Sequence, residues 1–146
     1  CEDLGASKAI NYRDENFEEA IKAITSKRGV DVILDMVAGD YVARNIRLLA
    51  PEGRLVFIAF LNGSKAEVDF GRVMRHRLKI MGSTLRPQSV AVKGKIAKHL
   101  RRTVWPLLDS GAVRPIIDSR FPLSNAAGAH ALMESSAHMG KILLTV

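Results

Sequence analysis

The stretch Gly29-Val30-Asp31-Val32-Ile33-Leu34-Asp35-Met36-Val37-Ala38-Gly39 decides how this chain reads. A turn glycine opens an apolar run, which leads to an acidic residue and stops at a loop of small side chains. Tyr41 to Leu49 follows with helical spacing, and Pro51-Glu52-Gly53 turns the chain into a second run, Arg54 to Phe60. Neither run alternates strictly between apolar and polar residues. That pattern predicts strands covered on both faces, as in the parallel sheet of an α/β fold. Ligands of such sheets sit beyond the carboxyl ends of the strands. The loops after Asp35 and after Ile58 are therefore the first places to look for a site.

Upstream, Ala9-Ile10-Asn11-Tyr12 reads as a short strand behind a helix end, Cys1 to Leu4, that Gly5 caps. Phe17, Ala20, Ile21 and Ile24 mark one face of a helix. With strands at 30–35 and 54–59 and a helix at 41–49, this is a run of βα units with right-handed crossovers. Downstream, a short helix is expected from Phe70 to Arg77 and a further strand at 79–85. Gln88 to Leu108 is the longest helix candidate, with Val92, Ile96, Leu100, Val104 and Leu107 along one stripe. Pro106 bends it or ends it early. The tail then changes character: a strand at Arg114 to Asp118, a helix from Asn125 to about Ser135 with Ser124 as N-cap, and a last strand from Gly140. The expected boundary is 113/114.

The chain's 146 residues suffice for one core. Hydrophobic residues make up 47% and charged residues 25%, as in an ordinary globular protein. No apolar run approaches the roughly 20 residues of a membrane span, so no membrane partner is expected. The lone Cys1 leaves no intrachain disulfide framework, and a cytoplasmic setting is the expectation. The first residue is not methionine and falls in what reads as the end of a helix, so the chain is expected to be a piece of a longer protein. The net charge of +7 is uneven: residues 72–102 hold ten of the 22 Lys and Arg, and the remaining twelve bases face fifteen acids. Such a block can bind polyanions. Without aromatic interleaving or a recognised motif it reads as a solvated helix face, and no nucleic-acid partner is expected.

The chemistry-bearing motifs are few. There is no G-x-G-x-x-G phosphate turn after a strand and no G-x-S-x-G elbow. His76, His99, His130 and His138 lack metal-ligand spacing, so no metal is expected. Asp35, at a strand end, suits either of two tasks, orienting a ribose or capping the turn that follows.

Five phrases carry a resemblance when taken in order: "LGASKAINYRDENF", "GVDVILDMVAG", "LLAPEGRLVFIA", "GSTLRP" and the closing "AHALMESSAHMGKILLTV". Together they resemble the nucleotide-binding domain of zinc-independent medium-chain dehydrogenases/reductases, most nearly the quinone oxidoreductase (zeta-crystallin-like) branch, over essentially the whole chain. The resemblance implies a partial doubly wound, Rossmann-type parallel sheet that lacks its first two strands, within residues 1–113. It implies a short C-terminal α+β appendage, 114–146, returning to a GroES-like catalytic domain. The glycine-rich pyrophosphate turn would belong to the absent part. The retained strands would be 9–12, 30–35, 54–59 and 79–85, with the two missing strands between Ile10 and Val32 in the usual order.

The implied cofactor is NADP, with NAD the lesser alternative, and the implied reaction is hydride transfer to a quinone or enone. By position, Tyr12 would contact the 2′-phosphate. Val37, Ala38 and Gly39 would lie near the nicotinamide ribose, and Ile58, Ala59 and Phe60 on the loop after the next strand. Phe60 departs from the small polar or glycine-containing turn of the family. Ser83, Thr84 and Leu85 would lie near the carboxamide, and Lys141 near the phosphates. No catalytic acid or base is identified in the chain. A homodimer through the 79–85 strand is expected, because an apolar edge strand invites another. The alternative reading is a non-catalytic dimerisation or interaction fragment with a basic surface.

Overall fold

The computed structural model describes residues 1–146. They form two compact units, Cys1–Pro87 and Gln88–Val146. The division thus falls ahead of the long helix, whereas the change of character in the sequence lies at 113/114.

In the first unit, helix α1 (Phe17–Ile24) precedes strand β1 (Val30–Asp35), helix α2 (Tyr41–Leu48), strand β2 (Leu49–Phe57), helix α3 (Phe70–His76) and strand β3 (Lys79–Gly82). The strands form one parallel sheet in the order β1-β2-β3. Local chemistry sets the ends of the helices. Asn16 accepts a hydrogen bond from the Glu18 amide at 3.0 Å and Asp69 from the Gly71 amide at 2.8 Å, so each caps a helix start. Arg77 stops α3 in the left-handed conformation.

Pro51-Glu52-Gly53 does not end a loop ahead of β2 but lies within it. Val30 pairs with Leu49 and Val32 with Arg54, so β2 accommodates extra residues as a bulge. Glu52 takes a positive φ of 63° there, and a Cβ on Gly53 would lie 2.8 Å from the Ala50 carbonyl oxygen.

The strand expected at Ala9 to Tyr12 is not formed. A parallel strand needs a neighbour to satisfy its amides, and none is adjacent here. Asn11 instead organises a turn: its carbonyl accepts from the amides of Asp14 (3.0 Å) and Glu15 (3.1 Å), and its side chain accepts from the Arg13 amide (3.2 Å). Cys1 to Leu4 forms a single turn. It is closed as a Schellman motif, with Ala6 N–H donating to the Cys1 carbonyl (3.1 Å), Gly5 N–H to that of Glu2 (2.9 Å), and Gly5 at φ 101°.

Ala38, Val42, Ile46, Leu49, Leu55 and Leu78 form the core, with Ile33, Phe57 and Val73 packed against it. Each fully buried leucine of this set contributes about 1.5–3 kcal/mol. The register places Ile33, Leu55 and Ile80 in one row across the sheet, facing this core. The next row, Leu34, Val56 and Met81, points to the opposite face. There Leu34 is 65% exposed, and Val32 and Met81 are also exposed. The expectation that both faces are covered therefore fails. The helices of this unit cover one face, and the apolar run of β1 carries a second face with nothing on it.

Helices α1 and α2 are joined by a polar staple that the sequence pattern does not reveal. Glu18 is buried and accepts from Arg44 Nε (2.9 Å), Arg47 Nε (3.0 Å) and Arg47 Nη2 (2.7 Å). Hydrogen bonding from Arg47, aided by Arg44 and opposed by burial, holds the Glu18 carboxyl below the usual glutamate range. The Phe17 and Tyr41 rings stack at 5.3 Å beside it, and the Arg44 guanidinium lies 4.0 Å from the Phe17 ring centre.

In the second unit, α4 (Val90–Thr103) is capped by Ser89, whose hydroxyl accepts from the Val92 amide at 3.3 Å. The helix breaks at Val104 and resumes as α5 (Trp105–Asp109), with Pro106 in its first turn, as the sequence suggested. Strands β4 (Ile117–Pro122) and β5 (Lys141–Thr145) pair in parallel, with helix α6 (Ala126–Ser135) between them in the chain. Ser124 does not cap α6. It lies within a 3-10 turn, Leu123–Asn125, that leads into the helix.

Candidate functional site

The carboxyl ends of all three strands of the first unit are tied together by backbone hydrogen bonds. Ile58 N–H donates to the Asp35 carbonyl (2.8 Å), Leu61 N–H to Met36 (3.0 Å) and Asn62 N–H to Val37 (2.8 Å). Gly39 N–H returns to the Gly63 carbonyl at 3.1 Å, so the loops after β1 and β2 run zipped together. Ser83 N–H donates to the Phe57 carbonyl at 2.9 Å and joins the third strand end to them.

Asp35 shapes the first loop. It is 4% exposed; its Oδ1 accepts from the amides of Val37 (2.7 Å) and Ala38 (2.9 Å), and its Oδ2 from Asn45 Nδ2 (3.0 Å). Of the two tasks left open by the sequence, this geometry is the turn cap. It lets Ala38 and Gly39 take successive left-handed conformations, φ 58° and 54°. Gly39 has no alternative there, because a Cβ would lie 2.3 Å from the Asn62 carbonyl oxygen. Asn45 and Asn62 escape sequence reasoning. For Asn45 the only signal is an amide on the buried side of an otherwise apolar helical stripe; Asn62, an exposed turn residue, gives none.

The structure places Val37, Ala38, Gly39, Ile58, Ala59, Phe60 and Ser83 in or beside this knot. Thr84 and Leu85 continue from Ser83, with Leu85 exposed. Tyr12 lies in the Asn11 turn and is 64% exposed. Lys141 is the first residue of β5 and pairs with Ile117 in the second unit.

Apart from the Asp35 carboxylate buried beneath its first loop, the knot carries no charge. None of residues 36–39, 58–64 or 83–85 carries a charge. It offers apolar side chains and backbone groups to an uncharged ring, and no acid or base that is free to move a proton. The residues present fit the nicotinamide half of a dinucleotide. They do not fit its pyrophosphate, which needs a glycine-rich turn at a helix N-terminus. Nor do they fit zinc: no group of three or more His, Cys, Asp or Glu side chains is placed to hold a metal.

No helix is long and apolar enough to cross a membrane. The chain is 30% identical over 141 residues to the quinone oxidoreductase of Rattus norvegicus, covering 96% of this chain and 41% of that protein. It is 34% identical to a highly reducing polyketide synthase of Cordyceps militaris, covering 94% of this chain and 5% of that protein. Among solved structures, the quinone oxidoreductase of Thermus thermophilus, determined also in complex with NADPH, is similar with a TM-score of 0.80 and 29% identity. That match covers 99% of this chain and 44% of the Thermus protein. The chain therefore spans about two fifths of the length of these oxidoreductases. The resemblance read from the five motifs is borne out, as is the α/β class with its parallel sheet. A family model described as zinc-binding dehydrogenase matches residues 4–144, and the chain belongs to that family.

Proposed function

We propose that this chain is the nicotinamide-facing part of the cofactor domain of an NADPH-dependent reductase acting on quinones or enones. The observation that carries the reading is the knot of three strand ends, with uncharged loops bonded to one another, where sheets of this kind hold their ligands. The similarity to an enzyme solved with NADPH supports the choice of NADP over NAD. A bound dihydronicotinamide supplies the hydride, and the protein's share is to orient it and keep water away. Here Val37 to Gly39 and Ser83 to Leu85 would flank the nicotinamide and its ribose, while Ile58 to Phe60 would close one side against solvent. Tyr12 is exposed and would offer its hydroxyl to the 2′-phosphate. The substrate would meet the ring from a part of the enzyme outside these residues. A cytoplasmic setting and a homodimer paired through the exposed β3 edge go with this reading.

The test is the longest open reading frame that carries this segment, assayed for NADPH oxidation with a quinone and with an enone. Turnover with neither substrate would refute the activity. In that protein, Tyr12→Phe should weaken NADPH more than NADH; equal losses would make Tyr12 merely structural.

A second reading, an interaction fragment without catalysis, is favoured by one observation. Lys93, Lys95, Lys98, Arg101 and Arg102 are all exposed on α4, beside an exposed apolar stripe of Val92, Ile96 and Leu100. Absence of NADPH oxidation together with salt-sensitive capture by an anionic resin would favour it.

A further inference from the structure

A cavity of about 260 Å³ lies at the amino end of the first unit's sheet, where the last turns of α1 and α2 stand beside the start of β1. The six residues of β1 rise about 3.3 Å each, so about 20 Å separates this end from the knot. Lys22, Lys27, Arg28, Arg47 and Arg72 line the cavity with Gly29 and Leu48, and no acidic residue does. Carbonyl ends of helices attract cations, each carrying about half a negative charge. Two such ends answer about one base, and the wall holds five. Three of these pair with carboxylates outside the lining: Lys22 with Glu19 at 2.7 Å, Arg28 with Asp31, and Arg47 with Glu18 at 2.7 Å. Lys27 and Arg72 have no carboxylate partner.

These two cations are held in place. Half-buried Arg72 donates from Nε to the Ile46 carbonyl and from Nη2 to that of Leu49, both at 3.0 Å, and its Nη1 stays uncommitted. Lys27 stands at φ 66° directly after Ser26 at φ 49°, two left-handed residues in a row with no glycine. Glycine or asparagine would fit there with less strain. Lys27 N–H donates to the Lys22 carbonyl at 2.6 Å and Gly29 N–H to Thr25 Oγ1 at 3.1 Å, so the loop is fixed all the same. Strain retained at one residue points to a use for its side chain, and this ammonium is on the cavity wall. A second cavity of about 340 Å³ shares Arg47 and Arg72. It adds Arg75 and the apolar Ala43, Ile46 and Val68; its one acid, Asp69, caps the Gly71 amide.

We propose that the basic cavity binds a small anion with two linked phosphoryl groups, held between Lys27 and the free Nη1 of Arg72. Guanidinium groups match phosphoryl oxygens in charge and geometry. The two free cations come from different walls, Lys27 from the loop after α1 and Arg72 from α3, so an anion charged at both ends answers both and a single-centred one does not. Because Arg72 is already ordered by its carbonyl bonds, binding does not have to order it again. Inorganic diphosphate and its esters share this chemistry. In an ester, the uncharged part would lie against Ala43, Ile46 and Val68 in the adjoining cavity. The site is remote from the cofactor-facing loops and independent of the reductase reading.

The experiment is an NMR titration of the 146-residue chain with inorganic pyrophosphate at low salt, read at backbone amides and arginine Nε–H groups. Saturable shifts are expected at the Gly29 and Leu48 amides and at Arg72 Nε, with an affinity about tenfold or more above that for sulfate, a single-centred dianion. Lys27→Asn removes the ammonium and suits the left-handed backbone. It should hold or raise the Tm while weakening pyrophosphate about tenfold or more. Lys65→Asn, on the exposed segment between β2 and α3, should leave the affinity unchanged. Equal affinity for sulfate, shifts spread equally over the basic helix α4, or an unchanged affinity in Lys27→Asn overturns the proposal. So do shifts at the Val37 and Gly39 amides in place of Gly29, which would put the anion at the knot. Tighter binding of isopentyl diphosphate, with shifts at the Val68 methyls, supports the site and identifies an ester as its ligand; equal binding supports it with the inorganic anion.

Discussion

Removing the Asp35 side chain should cost more stability than removing most core methyl groups. The buried carboxylate accepts from two backbone amides and one side-chain amide, and Asp35→Ala leaves all three donors without a partner. Each buried unsatisfied donor costs about 1–3 kcal/mol. The burial penalty of the carboxylate is recovered on its removal, and water reaches part of the loop, so we expect a net loss of about 3–5 kcal/mol. That is a large fraction of the roughly 5–15 kcal/mol by which domains are stable. Asp35→Asn should cost far less, about 1 kcal/mol. Its amide oxygen can still accept from Val37 and Ala38, and Asn45 can turn its own amide to present an acceptor. Urea unfolding followed by circular dichroism measures the difference. Hydrogen exchange should show the Val37 and Ala38 amides losing protection in Asp35→Ala and keeping it in Asp35→Asn. Equal losses in the two variants, or a loss below about 1 kcal/mol in Asp35→Ala, would refute the turn-cap reasoning.

Gly39→Ala should destabilise the loops by about 2–4 kcal/mol, from the left-handed conformation and from displacement of Asn62, and should deprotect the Asn62 amide in hydrogen exchange. Glu18 has its pKa lowered in the folded chain, so its contribution is complete above the unfolded glutamate range and disappears as pH falls through the folded value. Glu18→Gln should therefore flatten the acid limb of a stability–pH curve and leave less difference from the parent at low pH than at neutral pH. Gly82→Pro should turn a homodimer into a monomer in sedimentation: Ser83 N–H points to Phe57 of β2, so the neighbouring Gly82 N–H faces the free edge of β3 and proline removes that donor; a parent that is already monomeric at tens of micromolar, about the working range for a modest interface, defeats the edge-pairing proposal. Calorimetry should find NADPH bound weakly by the 146-residue chain, because the pyrophosphate turn is not in it; micromolar affinity would contradict that.

What the sequence made legible was whatever depends on local pattern. The run Val30 to Asp35 forms its strand with the expected ends, and Tyr41 to Leu48 its helix, because their spacing and flanking glycines act within a few residues. Val104 and Pro106 break the long helix for the same kind of reason. The misreadings share a different cause. Ile10 has the composition of a strand but no neighbour to pair with. Pro51 to Gly53 has the composition of a turn, yet pairing on both sides draws it into β2 as a bulge. Leu34 belongs to an apolar run that reads as covered, and only the sheet's actual neighbours decide whether it is. At the site, the positions of the loops were legible from the strand ends. The zipper that binds them was not, since backbone bonds between Met36 and Leu61 leave no mark on side-chain identity. Asn45 and Glu18 were missed because their partners lie far away in sequence.

The row that runs from exposed Leu34 through half-buried Val56 to exposed Met81 has a consequence for the life of this polypeptide in a cell. Quality-control machinery identifies its clients by contiguous apolar surface, and this chain displays such surface while natively folded. Expressed alone, it should light up hydrophobic dyes, be retained by holdase chaperones and turn over quickly, however well its core is packed. Its abundance would then be governed by how fast that row is shielded after synthesis, and not by its unfolding free energy.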